Sequence, residues 1–170
     1  MKRTKIICGF PGIGKTHFYD NNKDICLDSD SSNFSWAYNC EDERIRNDKF
    51  PANYIAHIKE NIGKYQYILV SSHQDVREAL LKECIHFYYV YPDSNRKDEF
   101  IQRYRDRGSP ESFIQLVDSM WYDWFSEIMF SGKEENGGFD YIELLGNENL
   151  SDVINNIDSY ILRKWTSVDD

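Results

Sequence analysis

Lys5-Ile6-Ile7-Cys8-Gly9-Phe10-Pro11-Gly12-Ile13-Gly14-Lys15-Thr16 is the stretch whose reading decides the fold. Lys5 to Cys8 reads as a short buried strand, and Lys15 to Tyr19 as the start of a helix. Between them Gly9 to Thr16 fills every fixed position of G-x-x-x-x-G-K-[ST], the phosphate-binding P-loop. Each residue type has a job at that spacing. The glycines let backbone N–H groups turn inward around a phosphate, Lys15 reaches the β and γ oxygens, and the Thr16 hydroxyl suits a Mg²⁺ ion. The expected cradle is Gly12, Ile13, Gly14, Lys15, Thr16 and His17. A glycine-rich turn that binds nothing is the alternative, and the strand before the loop and the helix after it argue against that.

Outward from this loop, apolar runs at 5–8, 25–27, 67–70, 86–91 and 139–145 alternate with amphipathic segments near 15–20, 51–62, 73–83, 95–107, 111–130 and 150–165. Strands separated by helix-length segments imply βαβ units and a parallel sheet, so the expected fold class is α/β. Pro51 and Pro110 sit where helices begin. Residues 131–138, with three glycines and two glutamates, read as the clearest surface loop.

Composition narrows the function. The chain has 170 residues, 41% of them hydrophobic and 15% aromatic, which suits a single domain with an adequate core. A formal net charge of −9 opposes loose attachment to nucleic acid or to an anionic membrane, so a polyanion needs a local basic patch. The acidic surface leaves room for a homodimer contact. No stretch approaches the roughly 20 apolar residues of a membrane span, and Met1-Lys2-Arg3-Thr4 leads into a strand rather than a signal peptide; the expected location is the cytoplasm. Cys8, Cys26, Cys40 and Cys84 lack C-x-x-C spacing, and neither disulfides nor zinc are expected.

Ligands of open parallel sheets bind beyond the carboxyl ends of the strands. Asp28-Ser29-Asp30-Ser31-Ser32-Asn33-Phe34-Ser35-Trp36, which follows the second strand, therefore belongs beside the loop. Asp28 or Asp30 there could orient a hydroxyl, hold a metal-bound water or take a proton; either could equally cap a turn. Phe34 and Trp36 are candidates for stacking on a base, with core packing as the alternative. At about 100° per residue, Arg96, Arg103 and Arg107 fall within about 40° of one another on one helix face, beside a buried stripe of Phe100, Ile101 and Tyr104. Guanidinium groups that close favour an anion among them, although Glu99 and Asp106 could relieve them on a solvated face. The third strand ends in Ser71-Ser72-His73, where many P-loop proteins carry a magnesium-shell aspartate; Ser71, Ser72 or Asp28 is left to supply that function. Arg77 suits an acceptor phosphate or a surface ion pair, Tyr54 a sugar or base or the core, and Trp121 and Trp124 packing.

Taken together, the Gly9 to Thr16 loop, the Asp28-Ser29-Asp30 segment and the Arg103-Tyr104-Arg105-Asp106-Arg107 helix resemble the P-loop nucleoside monophosphate kinase superfamily. The runs Phe50-Pro51-Ala52-Asn53-Tyr54-Ile55-Ala56-His57-Ile58 and Val70-Ser71-Ser72-His73-Gln74-Asp75-Val76-Arg77 look closest to small deoxynucleoside monophosphate kinase-like proteins of bacteriophages and prophages, which would place the chain in a host cytoplasm. The resemblance implies a five-stranded parallel sheet of order 2-3-1-4-5, an acceptor module over 29–62 and an arginine-bearing lid over 95–112. It implies ATP and Mg²⁺ as cofactors and nucleotides as donor and acceptor. Lys15 would neutralise the transferring group, Thr16 hold the metal, Arg103 and Arg107 close over the phosphates, and Asn147 border the donor adenine. Asp28, Asp30, Phe34, Trp36, Tyr54, Arg77 and Arg96 would face the acceptor. A kinase of DNA hydroxyl groups, which needs a general base such as Asp28, and a nucleotide-gated binding module with little turnover are the competing expectations.

Overall fold

A computed structural model of the chain describes residues 3–134 and 138–166. Its strands are β1 (Lys5–Gly9), β2 (Cys26–Asp28), β3 (Trp36–Tyr38), β4 (Arg44–Arg46), β5 (Tyr67–Ser71), β6 (Phe87–Pro92) and β7 (Phe139–Leu144). The helices are α1 (Lys15–Asn21), α2 (Ser32–Ser35), α3 (Ala52–Asn61), α4 (Gln74–Lys82), α5 (Lys97–Asp106), α6 (Glu111–Glu134), α7 (Leu150–Val153) and α8 (Ile157–Thr166).

The class is α/β, with a five-stranded sheet of order β2-β5-β1-β6-β7 in which every neighbouring pair is parallel. Numbered along the chain, this differs from the expected 2-3-1-4-5. The difference comes from β3 and β4, which form a separate antiparallel hairpin that apolar runs did not disclose. Both strands are short and mostly exposed, so they carry no buried stripe. Their turn is held by Asn39, whose side-chain oxygen accepts from the N–H groups of Glu41 and Glu43, each at 2.9 Å.

Parallel strands covered on both faces read as continuous apolar runs. That explains why β1, β5 and β6 were legible: Ile6 to Gly9, Tyr67 to Val70 and Phe87 to Pro92 are all buried. The burial also sets the chemistry of two cysteines. Cys8 and Cys26 are buried, and desolvation pushes each thiol up to about 12, so they pack as small apolar groups.

Helix α6 runs on to Glu134, so residues 131–134 are helical rather than a loop; the rest of that expected loop, 135–137, lies outside the described residues. The expected helix over 150–165 is broken by a 3₁₀ turn, Ile154–Asn156, between α7 and α8. No helix among the described residues is long and apolar enough to cross a membrane.

The residue that joins core to loop is Trp121 of α6, fully buried, its ring 5.5 Å from Phe10, 5.8 Å from Phe100 and 5.0 Å from Phe125. Its indole N–H donates to the Ser94 carbonyl at 2.8 Å, so the one polar atom of the ring is satisfied. Replacing it leaves a void beneath Phe10. Trp121→Ala should cost about 3–5 kcal/mol of stability, read from the midpoint shift in urea denaturation; a cost below about 1 kcal/mol would contradict the packing described.

Candidate phosphate-binding site

Gly9 to Thr16 turns between the end of β1 and the start of α1. Gly12 and Gly14 have φ of +83° and +99°, a left-handed backbone that alternation with ordinary residues turns into an anion-accepting concavity. Gly12 is also confined by packing, since a Cβ there would lie 2.9 Å from Cε1 of Tyr104.

Every carbonyl from Gly9 to Gly14 accepts a hydrogen bond from this chain. Lys15 Nζ donates to Gly9 O at 2.5 Å and to Phe10 O at 3.1 Å. The Tyr104 hydroxyl donates to Pro11 O at 2.8 Å, and Arg103 Nη1 to Gly12 O at 3.1 Å. The Leu150 amide donates to Ile13 O at 2.9 Å and the Phe18 amide to Gly14 O at 3.0 Å. With its acceptors occupied, the loop offers a ligand chiefly N–H groups and the Lys15 charge. Such a surface seeks anions.

Beside the loop, over the carboxyl ends of β1, β2 and β5, lies a cleft of about 500 Å³ lined by Lys15, Thr16, Asp28, Trp36, Arg46, His73 and Arg107, among others. Parallel pairing sets this level: Gly9 lies opposite Ser71 and Asp28 opposite Leu69. A wider groove of about 750 Å³ between α3 and α4 contains no residue of the loop.

Burial controls the electrostatics. It lowers Lys15 from the usual 10.5 to about 8; Cys8 and Asp28 act against this, and the like charge of Arg107 adds to it. Asp28 is raised, by desolvation first, with Lys15 opposing and Asp30 adding. Its carboxylate makes no hydrogen bond among the described residues. His73 is lowered, mainly by desolvation, with Asp75 opposing, and so favours the neutral imidazole.

Lys15, Thr16, Asp28, Trp36 and Arg107 line the cleft together with Gly9 and Pro11, whereas Gly12, Ile13 and Gly14 of the expected cradle do not. Asp30 also lines it, but its carboxylate accepts from the Ser32 amide at 2.8 Å, which is the turn-capping role. Phe34 is turned into the module it belongs to, 5.2 Å from the Tyr54 ring and 4.8 Å from His57, because an apolar ring packs there at less cost than it stands in water. Tyr54 is fully buried, and its hydroxyl donates to Ser29 O at 2.5 Å and accepts from the Ser71 amide at 3.3 Å. It is a strut between the ends of β2 and β5, not a base contact.

The three arginines divide. Arg96 is buried; it donates to both oxygens of Glu99 at 2.8 and 2.9 Å and to the carbonyls of Leu144 and Glu148 at 3.3 and 2.8 Å, so it holds the loop after β7 instead of facing the acceptor. Arg103 is spent on Gly12 O, on Asn149 Oδ1 at 2.8 Å and on Glu99. Arg107 alone of the three lines the cleft; its Nε donates to Ser109 Oγ at 2.8 Å, and it forms no ion pair among the described residues. Arg77 faces a different cavity, paired to Glu127 at 2.9 Å. His17 is exposed on α1, and exposed Asn147 contributes its carbonyl, 3.5 Å from Asn149 Nδ2.

Two residues of the cleft escaped the sequence reading. Arg46 of β4 stands over Trp36 and Phe50, with its guanidinium 5.9 and 4.8 Å from their centroids, and pairs with Asp75 at 3.2 Å. Ser29 is 4% exposed, lines the cleft, and its hydroxyl has no hydrogen-bond partner among the described residues. An unsatisfied buried hydroxyl costs about 1–3 kcal/mol, which a ligand's polar group would recover. Only a serine between two acidic residues was visible in the sequence.

No protein-family model matches the chain, and no curated protein matches it.

Lys15 gives the site a pH signature. Its folded value lies below the unfolded one, so the cost of its buried charge is present below about pH 8 and is relieved as pH rises toward 10.5. An anion that restores the charge must take up a proton in that window. Calorimetric titration with a nucleoside triphosphate at pH 8.5, in buffers of different ionisation enthalpy, should show proton uptake that Lys15→Met abolishes; identical heats in all buffers would contradict the assignment.

Proposed function

We propose that the chain transfers the γ-phosphoryl group of ATP to a nucleoside 5′-monophosphate, a deoxynucleotide by preference, giving the diphosphate. One observation carries this reading: an anion-seeking loop with a half-buried lysine shares a single cleft with Arg107 from the α5 terminus, with Asp28 at the end of β2, and with Ser29 and Arg46 from the segment after it. Donor and acceptor phosphates thus meet among three cations.

In this reading Lys15 keeps its two carbonyl partners and turns its third N–H toward the phosphoryl oxygens, where an anion restores its charge. Arg107 offsets the charge that develops during transfer, and Arg103 keeps Gly12 and the loop in place. Arg46 meets the acceptor phosphate. Thr16 and Asp28, which line the same cleft, suit Mg²⁺, an ion that takes one or two protein oxygens and completes its shell with phosphates and water. Bound there, the ion would neutralise charge on the β and γ oxygens. A phosphate acceptor is already a nucleophile at neutral pH, so alignment and exclusion of water suffice and no general base is needed.

A second reading, transfer to a hydroxyl such as a DNA end, has its own observation. Asp28 carries a raised, unbonded carboxylate, the property of a general base. The neighbouring hairpin sets Arg44 4.3 Å from the Trp36 ring, a small basic and aromatic rim.

An ATP-to-ADP assay with Mg²⁺ against ribo- and deoxynucleoside monophosphates, a DNA oligonucleotide and no acceptor tests both. Stimulation by monophosphates with diphosphate formed is expected; stimulation by DNA alone would replace the first reading with the second. Arg107→Ala should lower kcat by on the order of 10³. Arg103→Ala should act on ATP affinity and stability instead, since its bonds hold the loop. Asp28→Asn should chiefly raise the acceptor KM, whereas loss of kcat at saturating acceptor would make Asp28 the base.

A further inference from the structure

Arg46 lines the phosphate cleft from β4, a strand of the small hairpin sheet that stands apart from the main sheet. Its guanidinium lies 4.8 Å from the Phe50 centroid and 5.9 Å from that of Trp36, and Nη2 donates to Asp75 Oδ2 at 3.2 Å. Among the described residues no other hydrogen bond ties β3 or β4 to α4 or to the main sheet.

Asp75 is itself anchored. It belongs to the first turn of α4, where a helix N-terminus favours a carboxylate, and its Oδ1 accepts from the Val76 amide at 2.9 Å. Helix α4 follows β5 after only Ser72 and His73, and β5 pairs with β1 so that Ser71 lies opposite Gly9. The carboxylate is therefore set in register with the phosphate loop. It lines the groove between α3 and α4, not the cleft, and reaches the cleft through Arg46. The side chains of the pair are 54% and 43% exposed, and a pair so open to water contributes little to folding stability. What it fixes is direction. With aromatic rings and a carboxylate as supports, Arg46 keeps Nε and Nη1 out of any hydrogen bond among the described residues and open to a ligand. An unsupported arginine gives up its rotamer freedom at the moment it binds an anion, whereas a clamped one has given it up already.

We infer that Asp75 is a positioning residue for the acceptor: it holds Arg46 ready for the acceptor's phosphate group without touching that group itself. The inference rests on the reading that the cleft binds donor and acceptor phosphates.

The charge of Asp75 gives the test its sign. Deleting a carboxylate near an anion site tightens anion binding if charge alone matters, whereas loss of the clamp weakens it. Equilibrium binding of dAMP, dGMP, dCMP and dTMP to the full chain, with a non-hydrolysable ATP analogue and Mg²⁺ measured in parallel, separates the two. For the monophosphate that the wild-type chain binds most tightly, Arg46→Ala should weaken binding at least about tenfold, as expected for a lost charge-assisted hydrogen bond. Asp75→Ser, which leaves a hydroxyl to cap α4 but is too short to reach Arg46, should weaken binding about three- to tenfold, the cost of immobilising one long side chain. In the Arg46→Ala background Asp75→Ser should cause no further weakening, because Asp75 acts through Arg46. The ATP analogue should bind all variants as it binds the wild type. Unchanged or tighter monophosphate binding by Asp75→Ser, an equal loss with and without Arg46, wild-type affinity in Arg46→Ala, or loss of the ATP analogue in Asp75→Ser would each overturn the positioning role alone. Failure of the wild-type chain to bind the ATP analogue, or to bind any of the four monophosphates, would overturn the phosphate reading, and this one with it.

Discussion

The arrangement of this molecule depends on one hydrogen-bonding constraint: the carbonyls of Gly9 to Gly14 are all taken by donors of the chain itself. The donors come from α1, α5 and α7, so three helices must be in place before the loop has its shape. Meanwhile Phe10 is sunk among Trp121, Trp124 and Phe125 of α6, which ties the same loop to the aromatic core. Backbone oxygens that faced a phosphate would repel it. Occupying them leaves the loop as a surface of donors around the half-buried ammonium group of Lys15.

That constraint explains the division among the arginines. A helix with Arg96, Arg103 and Arg107 on one face cannot hold all three cations at a single anion without cost, and the fold uses two of them elsewhere. Arg96 satisfies the carbonyls of Leu144 and Glu148 at the end of β7, and Arg103 locks Gly12 to Asn149. Glu99 bonds to both and keeps their charge local. Arg107, at the helix end and outside this network, keeps its charge for the cleft. A basic stripe thus became one cleft-facing cation and two structural ones.

Much of this was legible in the sequence because its cause is local. The P-loop spacing, the apolar runs of β1, β5 and β6 and the prolines before α3 and α6 act within a few residues of themselves. The β3–β4 hairpin was not legible, since short exposed strands bury no stripe and their pairing answers to the Asn39 turn. The helix boundary at Glu134 was missed for the opposite reason: glycines and glutamates suggest a loop from 131 onward, but a long helix already packed by Trp121 and Phe125 continues through Gly132 to Glu134. Phe34 and Tyr54 had the chemistry of ligand contacts, and only their neighbours show that they serve the packing of the module.

The sequence by itself determined the strand, glycine loop and helix in their order, the α/β class, and the placement of Asp28 at the end of a strand, because hydrophobic period and glycine geometry are properties of short segments. The tertiary structure decided which side chains share a cleft. The Ser29 carbonyl is taken by Tyr54 while its hydroxyl finds no partner among the described residues, Arg46 is delivered by a hairpin, and Arg77 is diverted by Glu127 from 50 positions away. Whether a cation is spent or free depends on which carboxylates and carbonyls the packed chain brings within reach, and sequence spacing contains no information on that distance.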